Sequence, residues 1–336
     1  MDKIRAVNLG GWFVLERWMS ESLFEGVVGK DETSFCLQKP DAFDHLKKHW
    51  ETFITEEDFI WLAARKINLV RLPIPWWVFG ESEPYFSCLP WLDQAMDWAK
   101  KHKIPVLLDL HTAPGCQNGF DNGGLEGVCT WHHDPKNIAM TVDVLKRIAE
   151  RYASHDALWG VEVLNEPHWD IDLGLLQSFY LDAYRALRDV LEEKHTIVFH
   201  DGFRNDAWVD FFTVNPLVNV VLDVHLYQNF DPKFHEAGIV DNLIFPLETQ
   251  VGVIDRITQS VRCLVGEWSL GLHPKNFDGL DDFQKTVAYR AFAANQLMAW
   301  EKGMGWVFWS YKIESGRFGW NFRKLTEAGV LPNDYA

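Results

Sequence analysis

The segment LWGVEVLNEPHW, residues 158–169, predicts a buried β-strand that ends in the tripeptide Asn165-Glu166-Pro167. Five of its first seven residues are apolar, as in parallel strands that are covered on both faces. Pro167 cannot donate a ladder hydrogen bond, so the strand must end before it. The pattern places an amide and an ionisable carboxylate at the carboxyl end of a buried strand. Glu166 is therefore either a catalytic residue or a solvated glutamate at a loop.

Strand patterns and helical patterns alternate along the rest of the chain. The predicted strands span residues 4–9, 67–73, 105–111, 158–164, 195–201, 219–227, 262–269 and 304–311. The predicted helices span residues 55–66, 89–102, 135–152, 173–193, 206–212, 247–258 and 281–302, and residues 13–52 are expected to be irregular. Eight alternating units with right-handed crossovers close most naturally into a (β/α)8 barrel. We therefore predict a single-domain TIM barrel over residues 1–336. An open nucleotide-binding sheet is disfavoured, since no GxGxxG turn follows a strand.

The net charge and the aromatic content restrict the ligand. The chain has 32 basic and 48 acidic residues, and a net charge of −16 opposes binding to nucleic acids and to anionic membrane surfaces. No apolar run approaches the roughly eighteen residues of a membrane helix, so no membrane insertion is expected. The 17 tryptophans and 23 phenylalanines exceed the needs of a core, and aromatic rings at strand ends commonly stack on sugars. A neutral, hydroxyl-rich ligand fits these features best.

The cysteines, the first residues and the histidines bear on compartment and metal binding. The five cysteines are odd in number and include no CxxC motif, so neither a disulfide framework nor a zinc site is indicated. Residues 1–4 lack the layout of a signal peptide. These features favour a cytoplasmic location, or secretion if a leader has been removed, and they leave the oligomeric state open. A metal hydrolase is disfavoured because His132-His133 is predicted in a loop and no HxH motif ends a strand.

Polar and aromatic side chains recur at the carboxyl ends of the predicted strands. In a barrel these ends all lie on one face, so residues far apart in sequence converge there. The residues at these ends are Arg71, His111, Asn165, Glu166, His225, Tyr227, Glu267 and Trp309. A satisfied buried histidine or a packed tryptophan could explain any one of them. Their occurrence at the same position of successive units indicates a common site.

Glu166 and Glu267 form a pair of candidate catalytic carboxylates at the ends of the fourth and seventh strands. Carboxyl groups about 5 Å apart hydrolyse glycosides with retention of configuration, while about 6.5 to 9.5 Å leaves room for an inverting water. Opposed strands of a barrel favour the shorter distance. We expect Glu267 to be the nucleophile, kept ionised by Arg71 and Tyr227. Glu166 would be the acid/base, kept protonated by the neighbouring carboxylate, with Asn165 binding the sugar 2-hydroxyl.

Several motifs resemble glycoside hydrolase family 5 and, within it, the fungal exo-β-1,3-glucanase subgroup. Asn165-Glu166-Pro167 and Gly266-Glu267 indicate the clan. The subgroup is indicated by VNLGGW (7–12) with Leu15-Glu16, DLHTAPG (109–115) with QNGFDN (117–122), GEWS (266–269) and FWSYK (308–312). The resemblance covers residues 5–323. It implies the same roles for the two glutamates, Glu166 as acid/base and Glu267 as nucleophile.

The resemblance also implies which side chains bind the substrate. The contacts of the non-reducing glucose would be Glu16, His111, Asn165, Asp121, Asn122, Tyr227 and Trp309. Phe120 and Phe230 would form an aromatic clamp at the pocket entrance that grips the next sugar. Trp18 departs from the family pattern, which usually has a tyrosine at this position; it would still offer a ring beside Glu16, without the phenol hydroxyl.

These features predict a retaining β-glucosidase or exo-β-1,3-glucanase that releases glucose from β-1,3-glucan or its oligosaccharides through a covalent glycosyl-enzyme. No cofactor and no metal are expected. One alternative keeps the mechanism and changes the substrate to β-1,6-glucan, a glucosylated lipid or a plant glycoside. Another is a carbohydrate-binding barrel without activity. The sequence leaves exo or endo action open.

Overall fold

The computed structural model describes residues 3–336, and its sheet is a closed barrel of parallel strands. The strands are β1 (Ile4–Asn8), β2 (Leu69–Ile74), β3 (Val106–Leu110), β4 (Leu158–Glu162), β5 (Thr196–His200), β6 (Val220–His225), β7 (Arg262–Trp268) and β8 (Gly305–Phe308). Each strand pairs with the next in the chain, and β8 closes the ring by pairing with β1. The predicted (β/α)8 barrel is confirmed, with strand bounds shifted by a few residues.

Helices surround this barrel. The α-helices within residues 3–336 are α1 (Glu32–Gln38), α2 (Ala42–Thr52), α3 (Glu56–Ala64), α4 (Leu89–His102), α5 (Pro135–Tyr152), α6 (Leu173–Arg188), α7 (Ala207–Val214), α8 (Pro232–Glu236), α9 (Ile239–Phe245), α10 (Val251–Ile257), α11 (Asp282–Trp300) and α12 (Phe322–Glu327). Across that part of the chain, no helix combines the length and the apolar character needed to span a membrane.

The stretch of residues 13–52 contains α1 and α2, so the expectation of an irregular segment was wrong. Asp31 caps α1 by accepting a hydrogen bond from the Ser34 amide at 2.8 Å. Helix α2 buries Trp50, whose carbonyl accepts a hydrogen bond from the Trp12 indole at 3.0 Å. Helix α1 has few apolar positions, whereas α2 buries Ala42, Leu46 and Trp50 at the four-residue spacing of a helix, a pattern that the sequence argument overlooked.

The helix predicted over residues 247–258 begins earlier than its apolar pattern suggested. The chain is already helical in α9, passes through one π-helical turn at Pro246–Gln250, and continues as α10. Pro246 has no amide hydrogen to donate, so the regular α-helical ladder is interrupted at this point and the turn widens.

Two layers of buried side chains fill the inside of the barrel. The layer toward the amino ends of the strands, here called the apolar plug, consists of Ile4, Ala6, Leu69, Leu107, Val198, Val221, Leu264 and Val307. Inward-facing residues of a strand are two positions apart. The next inward layer, here called the polar ring, consists of Asn8, Arg71, Asp109, Glu162, His200 and Asp223, all 0% exposed. The polar ring is the floor of the candidate site.

Candidate active site

Arg71 lies at the centre of the polar ring and joins it to the residues above. Its guanidinium donates to Glu162 at 2.7 and 3.2 Å and lies 3.1 Å from the Asp109 carboxylate. It also donates to the side-chain oxygens of Asn8 and Asn165. Burial lowers the pKa of Arg71, but the charges of Asp109 and Glu162 outweigh this effect and hold it well above its ordinary value. The rigid, permanently charged guanidinium group of Arg71 therefore fixes the positions of these four neighbouring side chains.

Glu267 extends from β7 above the polar ring. Its Oε1 accepts a hydrogen bond from Arg71 at 2.9 Å, and its Oε2 accepts one from the Tyr227 hydroxyl at 2.9 Å. The preceding residue must be a glycine, because a Cβ on Gly266 would overlap the Asp223 carboxylate. The Gly266 amide donates to that carboxylate at 2.6 Å. The close approach of Gly266 thus sets the direction in which Glu267 leaves the strand.

Glu166 follows β4 in the left-handed backbone region, with a φ of 43°. That conformation costs a non-glycine residue roughly 1 kcal/mol or more and persists where surrounding contacts impose it. Gln117 supplies such contacts, since its side-chain amide donates to the carbonyl oxygens of His111 and Asn165, each at 2.9 Å. The Glu166 carboxylate itself accepts a hydrogen bond from Asn122 at 2.8 Å. The strained backbone aims this carboxylate into the pocket.

His225 lies between the two carboxylates. Its Nδ1 is 2.7 Å from Glu166 Oε1 and 3.5 Å from Glu267 Oε2. These two oxygens are therefore no further apart than the sum of those lengths, about 6 Å, whereas inverting glycosidases hold their carboxyl groups about 6.5 to 9.5 Å apart. The geometry fits the shorter spacing of a retaining pair.

The pKa values of the two carboxyl groups shift in opposite directions, in the reverse of the expected order. Burial raises the pKa of Glu267. The charge of His225 lowers this pKa and the charge of Glu166 raises it, and the net result lies above the ordinary value. Burial also raises the pKa of Glu166, but the hydrogen bond and the charge of His225 outweigh it and place it below its ordinary value. Burial lowers the pKa of His225, while the Glu267 and Asp223 carboxylates raise it well above its usual range. The sequence argument had not placed His225 between the glutamates, and the contact of its imidazole with Glu166 accounts for the lowered pKa of that carboxyl group.

His111 and Trp309 form one wall of the pocket. Their rings are parallel within 5°, with centroids 5.4 Å apart. The Asp109 carboxylate lies 2.6 Å from His111 Nδ1 and so orients the imidazole. Gly10 lies beneath the indole, where a Cβ would come within 2.7 Å of the Trp309 ring. The Gly10-Gly11 motif thus makes room for the tryptophan.

Glu16, Trp18 and Asp121 form the far side of the pocket. The Trp18 indole donates to Glu16 Oε2 at 2.9 Å. Burial and the charge of Asp121 raise the pKa of Glu16 well above its ordinary value, and the charges of both candidate catalytic glutamates add to the effect. Burial likewise raises the pKa of Asp121. These mutual effects place the loop residues in one electrostatic environment with Glu166 and Glu267.

Three buried polar atoms of the predicted contact residues have no hydrogen-bond partner within residues 3–336. They are Glu16 Oε1, His111 Nε2 and Asn165 Nδ2. Buried polar groups in folded proteins are nearly always paired, and each unpaired group requires an explanation. These three atoms are available to donate or accept hydrogen bonds with a ligand that carries several hydroxyl groups.

The two phenylalanines predicted to form a clamp lie on different loops and pack against different rings. Phe120 is half-buried, and its ring centroid is 6.0 Å from that of Trp169. Phe230 is 69% exposed and packs edge-on against Tyr227 at 5.4 Å and beside Trp320 at 5.9 Å. Both border the pocket, because Tyr227 binds Glu267 and Phe120 lies two residues before Asn122, which binds Glu166. Their joint grip on a sugar stays a prediction.

Sequence reasoning missed the polar ring and Gln117. Asp109, Glu162 and Asp223 were treated as parts of apolar strands, and no polar group was assigned to the fifth strand, which carries His200. A signal was present, because charged residues are almost never fully buried unless they are paired. Carboxylates that interrupt the apolar runs of β3, β4 and β6 on the inward-facing positions therefore required a buried cation, and Arg71 was the available one. Gln117 begins the QNGFDN motif, but its position in a long loop gave no indication of which backbone groups it binds.

Two overlapping trios of side chains bring possible metal-ligand atoms within 4.8 Å of one another. They are Glu166, His200 and His225, and Glu162, Asp223 and His225. Other groups of the same chain already form hydrogen bonds with these side chains. His225 Nδ1 bonds Glu166, Glu162 accepts from Arg71, and His200 Nδ1 accepts from the Gly202 amide at 2.9 Å. The trios are explained by these internal contacts without a bound ion.

A (β/α)8 barrel with two close carboxylates at the carboxyl ends of β4 and β7 has the architecture of a retaining glycoside hydrolase. The model of the family described as Cellulase (glycosyl hydrolase family 5) matches residues 30–315. The chain belongs to glycosyl hydrolase family 5, as its motifs predicted.

Two curated relatives and one solved structure illustrate the similarity. A glucan 1,3-beta-glucosidase of Blumeria graminis is 34% identical over 378 residues, which cover 98% of this chain and 87% of the relative. A glucan 1,3-beta-glucosidase of Kluyveromyces lactis is 35% identical over 384 residues, with coverages of 98% and 88%. The crystal structure of rutinosidase from Aspergillus niger matches with a TM-score of 0.80 and 18% identity over 98% of both chains, which supports the fold.

Proposed function

We propose that this protein is a retaining exo-β-glucosidase that releases glucose from the non-reducing end of β-1,3-glucan or its oligosaccharides. The observation that carries the reaction type is the position of His225 Nδ1, 2.7 Å from Glu166 and 3.5 Å from Glu267, which limits the separation of the two carboxylates. The β-1,3 linkage is supported by relatives named glucan 1,3-beta-glucosidase that share 34% and 35% identity over 98% of this chain.

In the first step Glu267 attacks the anomeric carbon while Glu166 donates a proton to the glycosidic oxygen. The bond between C1 and that oxygen breaks, a glucosyl ester forms on Glu267, and the leaving sugar departs as an alcohol. The hydrogen bonds from Arg71 and Tyr227 keep the attacking carboxylate oriented. The 2.7 Å hydrogen bond between Glu166 and His225 provides a path along which the acid/base residue can be protonated.

In the second step Glu166, now ionised, takes a proton from a water that attacks the same carbon. The ester bond to Glu267 breaks, glucose is released, and its configuration is the same as in the substrate because C1 has been inverted twice. Glu166 recovers its proton in this step, and Glu267 returns to the carboxylate form. No cofactor takes part in this cycle.

The unpaired atoms of the pocket account for the choice of a glucosyl group. Glu16 Oε1 can accept a hydroxyl hydrogen, while Asn165 Nδ2 donates to a hydroxyl oxygen beside Glu166. Trp309 offers the face of its indole to the apolar side of the sugar ring. A site built to pair with hydroxyl groups discriminates strongly against analogues that lack them, because its buried polar groups would then stay unpaired.

Product analysis tests the proposal. The purified protein is incubated with β-1,3-, β-1,4- and β-1,6-linked glucans and disaccharides, and the products are separated and their anomeric form followed by NMR. We expect β-glucose as the first product, released fastest from β-1,3 linkages. Preference for another linkage would move the function to the second candidate, the same reaction on a different β-glucoside, and initial α-glucose would contradict retention.

A variant of the acid/base residue separates catalysis from mere binding. Glu166→Ala should lose activity on sugars, and azide should restore turnover of an aryl β-glucoside whose leaving group needs no protonation, giving a β-glucosyl azide. Absence of azide rescue would argue against the assigned role. If the wild-type protein binds glucan but cleaves none of the panel, the chain would be a carbohydrate-binding barrel without activity. If EDTA removes the activity and a divalent metal restores it, the protein would be a metal hydrolase.

A further inference from the structure

Four aromatic side chains continue the pocket outward from the Glu166 loop. This group, here called the aromatic shelf, consists of Phe120, His168, Trp169 and Phe203. Trp169 is its outermost ring, with 48% of its surface exposed. Exposed single apolar residues are common on proteins, but a half-exposed tryptophan three residues after a candidate catalytic glutamate calls for a reason.

Neighbouring rings hold the Trp169 indole in place. It packs on the His168 imidazole with centroids 4.0 Å apart and an interplanar angle of 31°. The Phe203 ring meets it edge-on at 6.0 Å, and Phe120 lies at the same distance on another side. Aromatic pairs in these geometries add stability beyond the area that they bury. The tryptophan is therefore a positioned ring, with little conformational freedom left to lose when it binds a ligand.

The backbone under the aromatic shelf is tied to the candidate site. The His168 amide donates to the Gln117 carbonyl at 3.0 Å, and Gln117 in turn holds the carbonyl of Asn165. Phe203 adopts a left-handed backbone conformation with a φ of 59°, which is unusual for a bulky residue. Strain of this kind is maintained where a side chain must point in a particular direction. The strained turn after β5 directs Phe203 to the edge of the Trp169 indole.

The aromatic shelf includes the residues that follow Glu166 along the chain, and in the proposed reaction Glu166 defines the leaving-group side of the scissile bond. A general acid must contact the oxygen that departs, so the leaving group extends from Glu166. Exposure rises along the path away from that residue: Glu166 is 6% exposed, Phe120 is half-buried and Trp169 is 48% exposed. A glucan chain that leaves the pocket past Phe120 therefore meets Trp169 next.

We propose that Trp169 binds a glucosyl unit of the leaving group, the one beyond the unit that contacts Phe120. This inference rests on the proposed function and names a further subsite for the same reaction. A sugar ring presents an apolar face of C–H groups that packs on an indole, and a rigid aromatic ring supplies this contact area at low entropic cost.

The test compares β-1,3-linked glucose disaccharide and trisaccharide as substrates. In the wild-type protein kcat/KM should be higher for the trisaccharide, because only its third unit reaches Trp169. Trp169→Ala should lower the ratio of the trisaccharide value to the disaccharide value by roughly three- to tenfold. Trp169→Phe should restore part of the ratio. Phe283→Ala, at a 76% exposed position on α11, is the matched control and should leave the ratio as in the wild type.

Several results would overturn the proposal. A wild-type ratio near one, or a Trp169→Ala ratio equal to that of the wild type, would show that the tryptophan binds no third unit. Equal losses on both sugars, with a lowered melting temperature, would assign Trp169 a structural role only. A loss confined to aryl glucosides would assign the shelf to aromatic leaving groups. If the wild type cleaves aryl glucosides and neither sugar, the proposed substrate fails before the subsite is tested.

Discussion

The apolar plug and the polar ring are built from the same strands, and both are buried. Leu69 and Leu107 belong to the plug, while Arg71 and Asp109, two positions further along β2 and β3, belong to the ring. Backbone pairing is continuous through both layers: Val70 to Ile74 of β2 pair with Val106 to Leu110 of β3. The two layers differ in side-chain chemistry alone, so the difference shows what the barrel gains from each.

The plug stabilises the fold, whereas the ring contributes less to its stability. Burial of aliphatic side chains contributes about 25 cal/mol per Å² of apolar surface removed from water. Buried ion pairs often stabilise a protein less than apolar residues of the same volume, because desolvation offsets the attraction. The cluster of Arg71, Asp109, Glu162 and Asp223 is therefore not explained by stability. Its consequence is the fixed position of Glu267 and Asn165, which both accept hydrogen bonds from Arg71.

The largest expected effect is the loss of activity on substitution of Glu267, which lies directly above the polar ring and should be needed for function more than for stability. Glu267→Gln should lower kcat/KM on an aryl β-glucoside by about 10⁴-fold or more, because an amide cannot form the glycosyl ester. Its stability should change by no more than about 1 kcal/mol, since burial already opposes ionisation of this group. Activity assays and thermal denaturation measure the two effects, and calorimetry with a glucan oligosaccharide should still detect binding.

Glu248→Gln, an exposed substitution of the same chemistry, is the control and should retain wild-type values. Near-normal turnover by Glu267→Gln would remove Glu267 from the nucleophile role. A large loss of stability in Glu267→Gln would show that the ionised Glu267 carboxylate stabilises the fold. The apolar plug and the polar layer would then not differ in their contributions to stability.

The second prediction concerns the apolar plug. Leu107→Ala should lower the free energy of unfolding by about 2 to 5 kcal/mol, because a fully buried leucine leaves a cavity that the surrounding strands cannot close. Well below the melting temperature its kcat/KM should stay within roughly twofold of the wild type, since the Leu107 side chain lies in the apolar plug, one layer below the polar ring. Denaturant titration and kinetics provide the measurements. Leu37→Ala, at a 68% exposed position, should leave both quantities unchanged, and loss of activity in folded Leu107→Ala would contradict the division of roles.

The same contrast explains what could be predicted from the sequence. The barrel followed from the alternation of apolar strands and amphipathic helices, and the residues beyond the strand ends followed from turn-like breaks such as Asn165-Glu166-Pro167. Asp109, Glu162 and Asp223 escaped notice because each lies among apolar neighbours, and their partner Arg71 is distant in sequence. Only the closed ring of strands brings them together. The order of the two glutamate pKa values was missed for a related reason, since it depends on where the His225 ring lies.

The third prediction concerns the charge of the His225 imidazole. The charge of His225 lowers the pKa of both Glu166 and Glu267, so removing it in His225→Asn should raise both. A nucleophile acts only when ionised, and activity is lost as the pH falls through its pKa. The acid limb of the kcat/KM profile should therefore move to higher pH.

A matched variant from the polar ring controls for loss of an imidazole. Burial and the charge of His225 hold the pKa of His200 well below its ordinary value, so His200 is less readily protonated than His225. His200→Asn should leave the acid limb in place, even if kcat falls. A limb that shifts equally in both variants, or in neither, would show that the charge of His225 does not set the ionisation of the nucleophile.

The smallest effect is expected outside both layers, at the pocket entrance. Phe120→Ala should lower kcat/KM on β-1,3-linked disaccharide by roughly three- to tenfold more than on an aryl β-glucoside, because the removed ring would contact the first sugar of the leaving group. Unlike the loss at Trp169, this loss should appear with the disaccharide. Steady-state kinetics on the two substrates, with Phe283→Ala as control, measure the difference. Equal losses on both substrates would mean that Phe120 supports the loop of Asn122 and grips no sugar.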